Sequence, residues 1–323
     1  MRAIVVTKYG DPEVLQLQDV PIPGPEANQV RVKVVSAGIN YADIMQRKGL
    51  YIGGPKPPFI AGFEFAGIVD KTGAEVRQWR GGEAVMGFCA SGYSEYVLAD
   101  AARVMPKPSQ LDFHQAAAIP CQYLTAYHAL ITLSQLRAGQ TVLIQAAAGG
   151  LGTLLVQIAR NAGATVIGTC STDEKCAFLR EIGCPHPINY ATSSFRKEVL
   201  NITKDVGCDL IIESVGGDVF DESLRCLKPR GRLVTLGAAS GKPRSIQALY
   251  LLTHNMTISG LHLFGYADDV DAMANAVRDL YSWLENKKLT IVVNHIFPLE
   301  KAAEAHQFIS DRKSMGKVVL SVE

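Results

Sequence analysis

A chain of 323 residues exceeds what a single hydrophobic core of ordinary size organises, so two domains are expected. Its 32 Lys and Arg balance 31 Asp and Glu for a net charge of +1, which argues against a nucleic-acid footprint or a basic membrane-binding face. No apolar run approaches the roughly twenty residues of a membrane helix, and the seven scattered cysteines, never spaced as CxxC, fit reduced thiols in a cytoplasmic protein without disulfides or a structural zinc lobe.

The start, Met1-Arg-Ala-Ile-Val-Val, leads straight into a strand-like segment, with nothing to suggest export. Through residue 120 the pattern is of short strands, at 30–35, 66–69 and 93–98, broken by Gly and Pro. Pro21, Pro23, Pro25, Pro55, Pro57 and Pro58 punctuate loops, because apolar strands resume after each cluster. From about residue 115 the texture changes. Helices are expected over 113–119 and 124–133, and strands then alternate with helices, which implies a parallel sheet.

Residues 141–152 run Thr-Val-Leu-Ile-Gln-Ala-Ala-Ala-Gly-Gly-Leu-Gly: a buried-strand pattern, a glycine cluster, then an amphipathic helix with Leu154, Leu155, Ile158 and Ala159 on one face. Glycines let a backbone approach a pyrophosphate, and the free amides and positive dipole end of the helix favour its charges. The first glycine of the usual GxGxxG is replaced, since Ala147 stands there. A second strand at 165–169 still completes a βαβ unit of about thirty residues. The alternative is an α/β turn whose glycines serve only chain reversal and packing. Further strands at 209–213, 231–237 and 256–259 end in polar or glycine-rich turns, so 214–217 and 237–240 are expected to face a cofactor. After 265 come a helix at 270–286, a strand near Ile291, a helix at 299–310 and a strand at 317–322, expected to return to the first domain.

The choice of nicotinamide cofactor falls at Cys170-Ser171, where an acidic residue would accept from a ribose 2'-hydroxyl and repel a 2'-phosphate. Ser171, Thr172 and Lys175 suit added negative charge, favouring NADPH. Asp173 and Glu174 could reach the ribose if the strand ends later, and Lys175 reads equally as a solvated helix charge.

Taken together, Gly38-Ile-Asn-Tyr-Ala-Asp43, Gly49-Leu-Tyr51, Ala61-Gly-Phe-Glu-Phe-Ala-Gly67, Leu124-Thr-Ala-Tyr127, Ala146-Ala-Ala-Gly-Gly-Leu-Gly152 and Gly316-Lys-Val-Val-Leu320 resemble the medium-chain dehydrogenase/reductase superfamily, and within it the zinc-free, zeta-crystallin-like quinone oxidoreductases. The resemblance spans nearly the whole chain. It implies an α/β protein: a Rossmann doubly wound parallel sheet domain (125–265), plus a GroES-like mostly-β catalytic domain (1–124, completed by 266–323), with the active site in the cleft between. Zinc-dependent members carry Cys, His and Cys at positions matching Asn40, Phe63 and Cys121. Only Cys121 survives, so no metal site is expected, and Cys121 reads as a small buried hydrophobe rather than a nucleophile.

Without a Lewis acid to lower an alcohol's pKa, activated acceptors such as quinones or conjugated enones are the expected substrates. The resemblance places Asn40 and Tyr51 at the reacting end, where an amide and a phenol can donate to a developing oxyanion, with Thr125 beneath the nicotinamide ring. Asn40 as a turn cap and Tyr51 as a loop aromatic are the bland alternatives. It further assigns Gly149, Gly150, Leu151 and Gly152 to the pyrophosphate, Ser171, Lys175 and Tyr190 to the 2'-phosphate, and Gly217, Phe264 and Lys317 to the rest of the cleft. It implies a homodimer paired through the last strand of the Rossmann sheet, near 257–263. The expected function is NADPH-dependent quinone reduction. An alkenal or enone reductase, or a cofactor-binding protein without turnover, are the competing readings.

Overall fold

A computed structural model of the chain describes residues 1–322, which divide into two compact units, 1–123 with 291–322, and 124–290. In chain order the first unit begins with β1 (Arg2–Val6), β2 (Leu15–Asp19), β3 (Gln29–Gly38), α1 (Tyr41–Arg47), β4 (Phe59–Ile60), β5 (Glu64–Thr72), β6 (Ala84–Phe88), β7 (Tyr96–Asp100), β8 (Val104–Pro106) and α2 (Phe113–Ala116). Helix α3 (Pro120–Tyr127) follows, continued by one π turn, His128–Leu133. Proline lacks an amide hydrogen and suits a first turn, which is why α3 starts at Pro120 rather than at Leu124, and why the helix expected to reach 119 stops at Ala116.

The second unit carries β9 (Thr141–Ile144), α4 (Gly150–Asn161), β10 (Thr165–Cys170), α5 (Asp173–Glu181), β11 (His186–Asn189), α6 (Phe195–Thr203), β12 (Cys208–Glu213), α7 (Gly217–Leu224), β13 (Leu227–Thr235), α8 (Ala248–His254), β14 (Thr257–Gly260) and α9 (Val270–Glu285). The chain then returns to the first unit with β15 (Val293–Pro298), α10 (Ala302–Ser310) and β16 (Lys317–Ser321). Helix α9 stays in the second unit, where Tyr127 donates its hydroxyl to Asp279 at 2.7 Å and its ring lies 5.9 Å from that of Trp283.

In the first unit one sheet runs β15-β16-β3-β5-β6-β8, with β7 also on β3, and a smaller sheet runs β2-β1-β4. Alternation specifies β3: Val30, Val32 and Val34 enter a core with Val69, Val85, Val97 and Val318, while Lys33 faces outward. Strand β16 pairs antiparallel with the end of β3, Val319 opposite Gly38, and so delivers Lys317 beside Asn40. Gly38 has a specific reason to be glycine, since a Cβ there would lie 2.4 Å from Glu64 Oε1 and from Ala117 O.

In the second unit six parallel strands run β11-β10-β9-β12-β13-β14. Numbered within that sheet the order is 3-2-1-4-5-6, the doubly wound arrangement whose crevice opens where the order reverses, beyond the carboxyl ends of β9 and β12. Leu143, Ile167, Ile211 and Leu233, buried centres of four neighbouring strands, form its core.

Candidate active site

The turn after β9 has the form a dinucleotide requires. Gly149 caps α4 with extended backbone (φ −76°, ψ 172°), and a helix of twelve residues follows, its dipole positive towards the turn. A Cβ on Gly152 would stand 2.4 Å from Ala147 O and 2.5 Å from Ala146 O, so only glycine lets the helix sit this close to the strand. Ala147, in place of the first glycine, is fully buried, and β10 makes room for it: a Cβ on Gly168 would be 2.8 Å from the Ala147 methyl. Ala146 takes left-handed backbone (φ 53°), its amide 3.2 Å from Thr169 Oγ1. Buried Gln145 fixes the strand end, accepting from Thr169 Oγ1 at 2.6 Å and donating to Ser223 Oγ at 2.9 Å.

Across the crevice the turns at 214–217 and 237–240 come together. Ala239 N donates to Ser214 O at 2.9 Å, Ser240 N to Val215 O at 2.8 Å, and Gly217 N to Lys242 O at 2.8 Å. Their anchor escaped sequence reasoning. Glu213 is fully buried at the end of β12, and its Oε1 accepts from the amides of Val215 (2.7 Å) and Gly216 (2.8 Å). Burial raises the pKa of this carboxyl, the two amides opposing the shift. An acidic residue closing an apolar strand was the signal.

At the end of β10, Ser171 is half-buried and Thr172 caps α5, its Oγ1 accepting from Lys175 N at 3.2 Å. Lys175 is buried, and Tyr190, half-exposed, is tied by its amide to Cys170 O at 3.0 Å. Asp173 accepts from Asn189 Nδ2 at 2.8 Å, so this carboxylate is engaged on the β11 side. These residues form one corner. Thr125 lies half-buried on α3, Gly217 opens α7, and Phe264 sits in the short turn Leu263–Gly265 with its ring 5.6 Å from that of His262.

In the first unit Asn40 and Lys317 meet in a buried network. Lys317 Nζ donates to Asn40 Oδ1 at 2.9 Å and to Glu64 Oε1 at 2.5 Å, while Asn40 Nδ2 donates to the same Glu64 oxygen at 2.7 Å. Glu64 Oε2 accepts from the amide of Cys121 at 2.7 Å. With its oxygen taken by a cation, the Asn40 amide is fixed in orientation, and the hydrogen it does not give to Glu64 remains as a donor. Asn40 also precedes α1, where its amide donates to Asp43 Oδ2 at 2.6 Å; that oxygen accepts from Tyr93 Oη at 3.0 Å, and Tyr93 Oη lies 3.1 Å from His306 Nε2. Burial pushes Asp43 up to about 7, against the pull of Asn40 N, Lys317 and Tyr93, and pushes His306 down to about 3. Tyr51 packs its ring 5.5 Å from Phe63, and burial raises its phenol.

Among the described residues no group of three or more His, Cys, Asp or Glu is placed to hold a metal ion. The positions that carry zinc ligands in related folds do not fit the metal, because Phe63 has no donor atom and the Asn40 oxygen is spent on Lys317. Burial, then Glu64, holds the Cys121 thiol well above its usual range.

Residues 26–109 match the family described as alcohol dehydrogenase GroES-like domain, and residues 150–279 the family described as zinc-binding dehydrogenase. A quinone oxidoreductase-like protein 2 homolog of Nematostella vectensis is 37% identical over 328 residues, spanning 100% of this chain and 89% of that one. This chain is a medium-chain dehydrogenase/reductase of the quinone oxidoreductase branch. Among other members of the superfamily, a 2-haloacrylate reductase of Burkholderia sp is 34% identical over 98% of both chains. The Escherichia coli quinone oxidoreductase crystallised with NADPH matches with a TM-score of 0.95 at 30% identity over 100% of both chains. The first unit is therefore the GroES-like part of a medium-chain oxidoreductase and the second its Rossmann part. The zinc-binding dehydrogenase match begins at Gly150, beyond Asn40, Phe63 and Cys121.

Proposed function

We propose that this oxidoreductase uses NADPH to reduce quinones. The observation that carries the reading is the Asn40 amide, clamped by Lys317 and Glu64 as a hydrogen-bond donor in a buried setting where a donor is worth most. When bound, the dihydronicotinamide supplies a hydride. The protein's own residues do the rest. The Gly149–Gly152 turn takes the pyrophosphate on free amides, a fit supported by the backbone contact that only glycine permits at 152. Lys175, Ser171 and Tyr190 hold the 2'-phosphate. Asn40 and the Tyr51 phenol donate to the acceptor oxygen on which charge develops, and Phe63 backs the Tyr51 ring.

The similarity to a 2-haloacrylate reductase favours a second reading, in which the acceptor is a carbon–carbon double bond conjugated to a carbonyl. The same two donors would serve the enolate oxygen. Steady-state kcat/KM values with NADPH against a quinone panel and an enone panel decide between them. Quinone turnover at least tenfold above that of enones is expected, and turnover confined to enones would remove the quinone assignment.

The assembly we propose is a homodimer paired along β14, the edge strand of the Rossmann sheet. Exposed Leu249 and Leu252 on neighbouring α8 support an apolar contact there. Light scattering on the wild type and on Leu249→Asp/Leu252→Asp tests it: the wild type is expected at twice the chain mass, the variant at the chain mass.

A further inference from the structure

One cluster of nucleophilic side chains has no part in the reaction proposed above. Cys170 ends β10, Cys176 lies in the first turn of α5, and their sulfurs are 3.1 Å apart. Sulfurs in a disulfide stand about 2.05 Å apart, so bonding requires a closure of only about 1 Å. Cys170 Sγ is enclosed by strand and turn backbone, 3.6 Å from Thr172 O and 3.7 Å from Ile188 O. Cys176, itself only 5% exposed, borders a groove of about 490 Å³ together with Asp173, His186, Asn189 and Ser193, the side from which a small reagent would approach it.

We propose that Cys170 and Cys176 are a dithiol that peroxides oxidise to a disulfide, and that the bond weakens the hold of the adjoining Lys175 corner on a 2'-phosphate. The first half stands on the sulfur geometry and the groove; the second rests on the cofactor reading above. Cys176 attacks the peroxide from the groove: an S–O bond forms, the O–O bond breaks, and water leaves. The Cys170 thiol attacks the resulting sulfenic sulfur, forming S–S and expelling hydroxide, which takes the thiol proton as a second water. Two thiols are thus oxidised and one hydrogen peroxide is reduced to two waters. Burial, then the neighbouring Cys176, pushes Cys170 up to about 12, which suits it to the second step rather than the first. Lys175 precedes Cys176, and its amide is the one that Thr172 caps, so drawing the first turn of α5 towards β10 displaces both. Charge-assisted bonds are short and lose strength with such a shift. Cys184, whose sulfur lies 3.8 Å from Val166 O on β10 and whose amide donates to Leu179 O on α5, is the rival partner.

The test treats the whole protein with hydrogen peroxide, blocks the remaining thiols and maps linked peptides by mass, in parallel with Kd values for NADPH and NADH. The expected result is a 170–176 link, present in Cys184→Ser and absent in Cys176→Ser. The linked protein should bind NADPH about fivefold or more weakly and NADH unchanged, with dithiothreitol restoring affinity. Peroxide-treated Cys176→Ser should bind NADPH as untreated protein does. A link to Cys184, over-oxidation of Cys176 without a link, or linked protein with unaltered NADPH affinity would each overturn the proposal. Should the reduced protein bind neither nucleotide, the cofactor reading fails, and the peptide map still decides the dithiol.

Discussion

Lys317 Nζ lies 2.5 Å from Glu64 Oε1, with the two side chains 2% and 0% exposed. Removing one member of such a pair strands a buried charge, whereas replacing both with neutral groups removes the desolvation penalty as well. Lys317→Met is therefore expected to lower stability by about 3–5 kcal/mol, and Lys317→Met/Glu64→Gln to recover most of the loss. Urea midpoints of the two variants check it. Equal loss in both would mean that the lysine stem, not its charge, stabilises the unit.

The titration of Asp43 gives the first unit a pH dependence. Its carboxyl is raised from 3.8 to about 7, so between those values the native protein binds the proton that the unfolded chain has released. Its contribution to stability is full below about 4 and is lost as pH rises through about 7. His306, lowered to about 3, acts in the opposite sense: its contribution is present above about 6.5 and is lost as pH falls through 3. Asp43→Asn keeps an acceptor for Asn40 N and Tyr93. The two groups oppose each other between about pH 4 and about pH 6.5 and hold the wild-type urea midpoint nearly level there, so Asp43→Asn, which leaves only the His306 contribution, should make the midpoint rise with pH over that range.

Two substitutions separate the parts of the nucleotide. Gly152→Ala sets a methyl 2.4 Å from a backbone oxygen and must shift the turn, so NADPH and NADH should weaken together. Lys175→Gln removes one charge-assisted bond, about 1.5–3 kcal/mol, and should cost NADPH about tenfold or more in Kd while sparing NADH. Titration calorimetry with both nucleotides reads the difference. Equal weakening by Lys175→Gln would remove the lysine from the 2'-phosphate.

Tyr51→Phe keeps the ring against Phe63 and deletes only the hydroxyl. If that hydroxyl donates to charge developing on the acceptor, kcat falls about a hundredfold and the NADPH Kd is unchanged. Single-turnover rates with a quinone in excess measure it. An unchanged rate would leave Tyr51 as a wall of the pocket.

Local chemistry explains how much could be read in advance. The strand, glycine turn and helix at 141–152 and the short strand at 30–35 are short-range signals, from which a mostly-β first half and a parallel sheet after it are expected, whereas the GroES-like and Rossmann unit types come with the family resemblance. Asn40 was singled out from its motif, but what orients it was not, because Lys317 and Glu64 are separated by 253 positions and no local pattern links them. A hint did exist: Glu64 stands between Phe63 and Phe65, and a carboxylate in so apolar a stretch requires a buried partner. The start of α3 at Pro120, the π turn at 128–133 and the placement of α9 depend on packing with distant segments, which periodicity does not encode.

The order of synthesis gives the late position of Lys317 a further meaning. Residues 124–290 are all translated before the strand that carries it, so a nascent chain can complete its nucleotide-binding unit while Glu64 still lacks its cation. Until β16 emerges, water must solvate that carboxylate. A message cut short before codon 317 would then yield a polypeptide with one finished half and one that quality-control proteases can recognise.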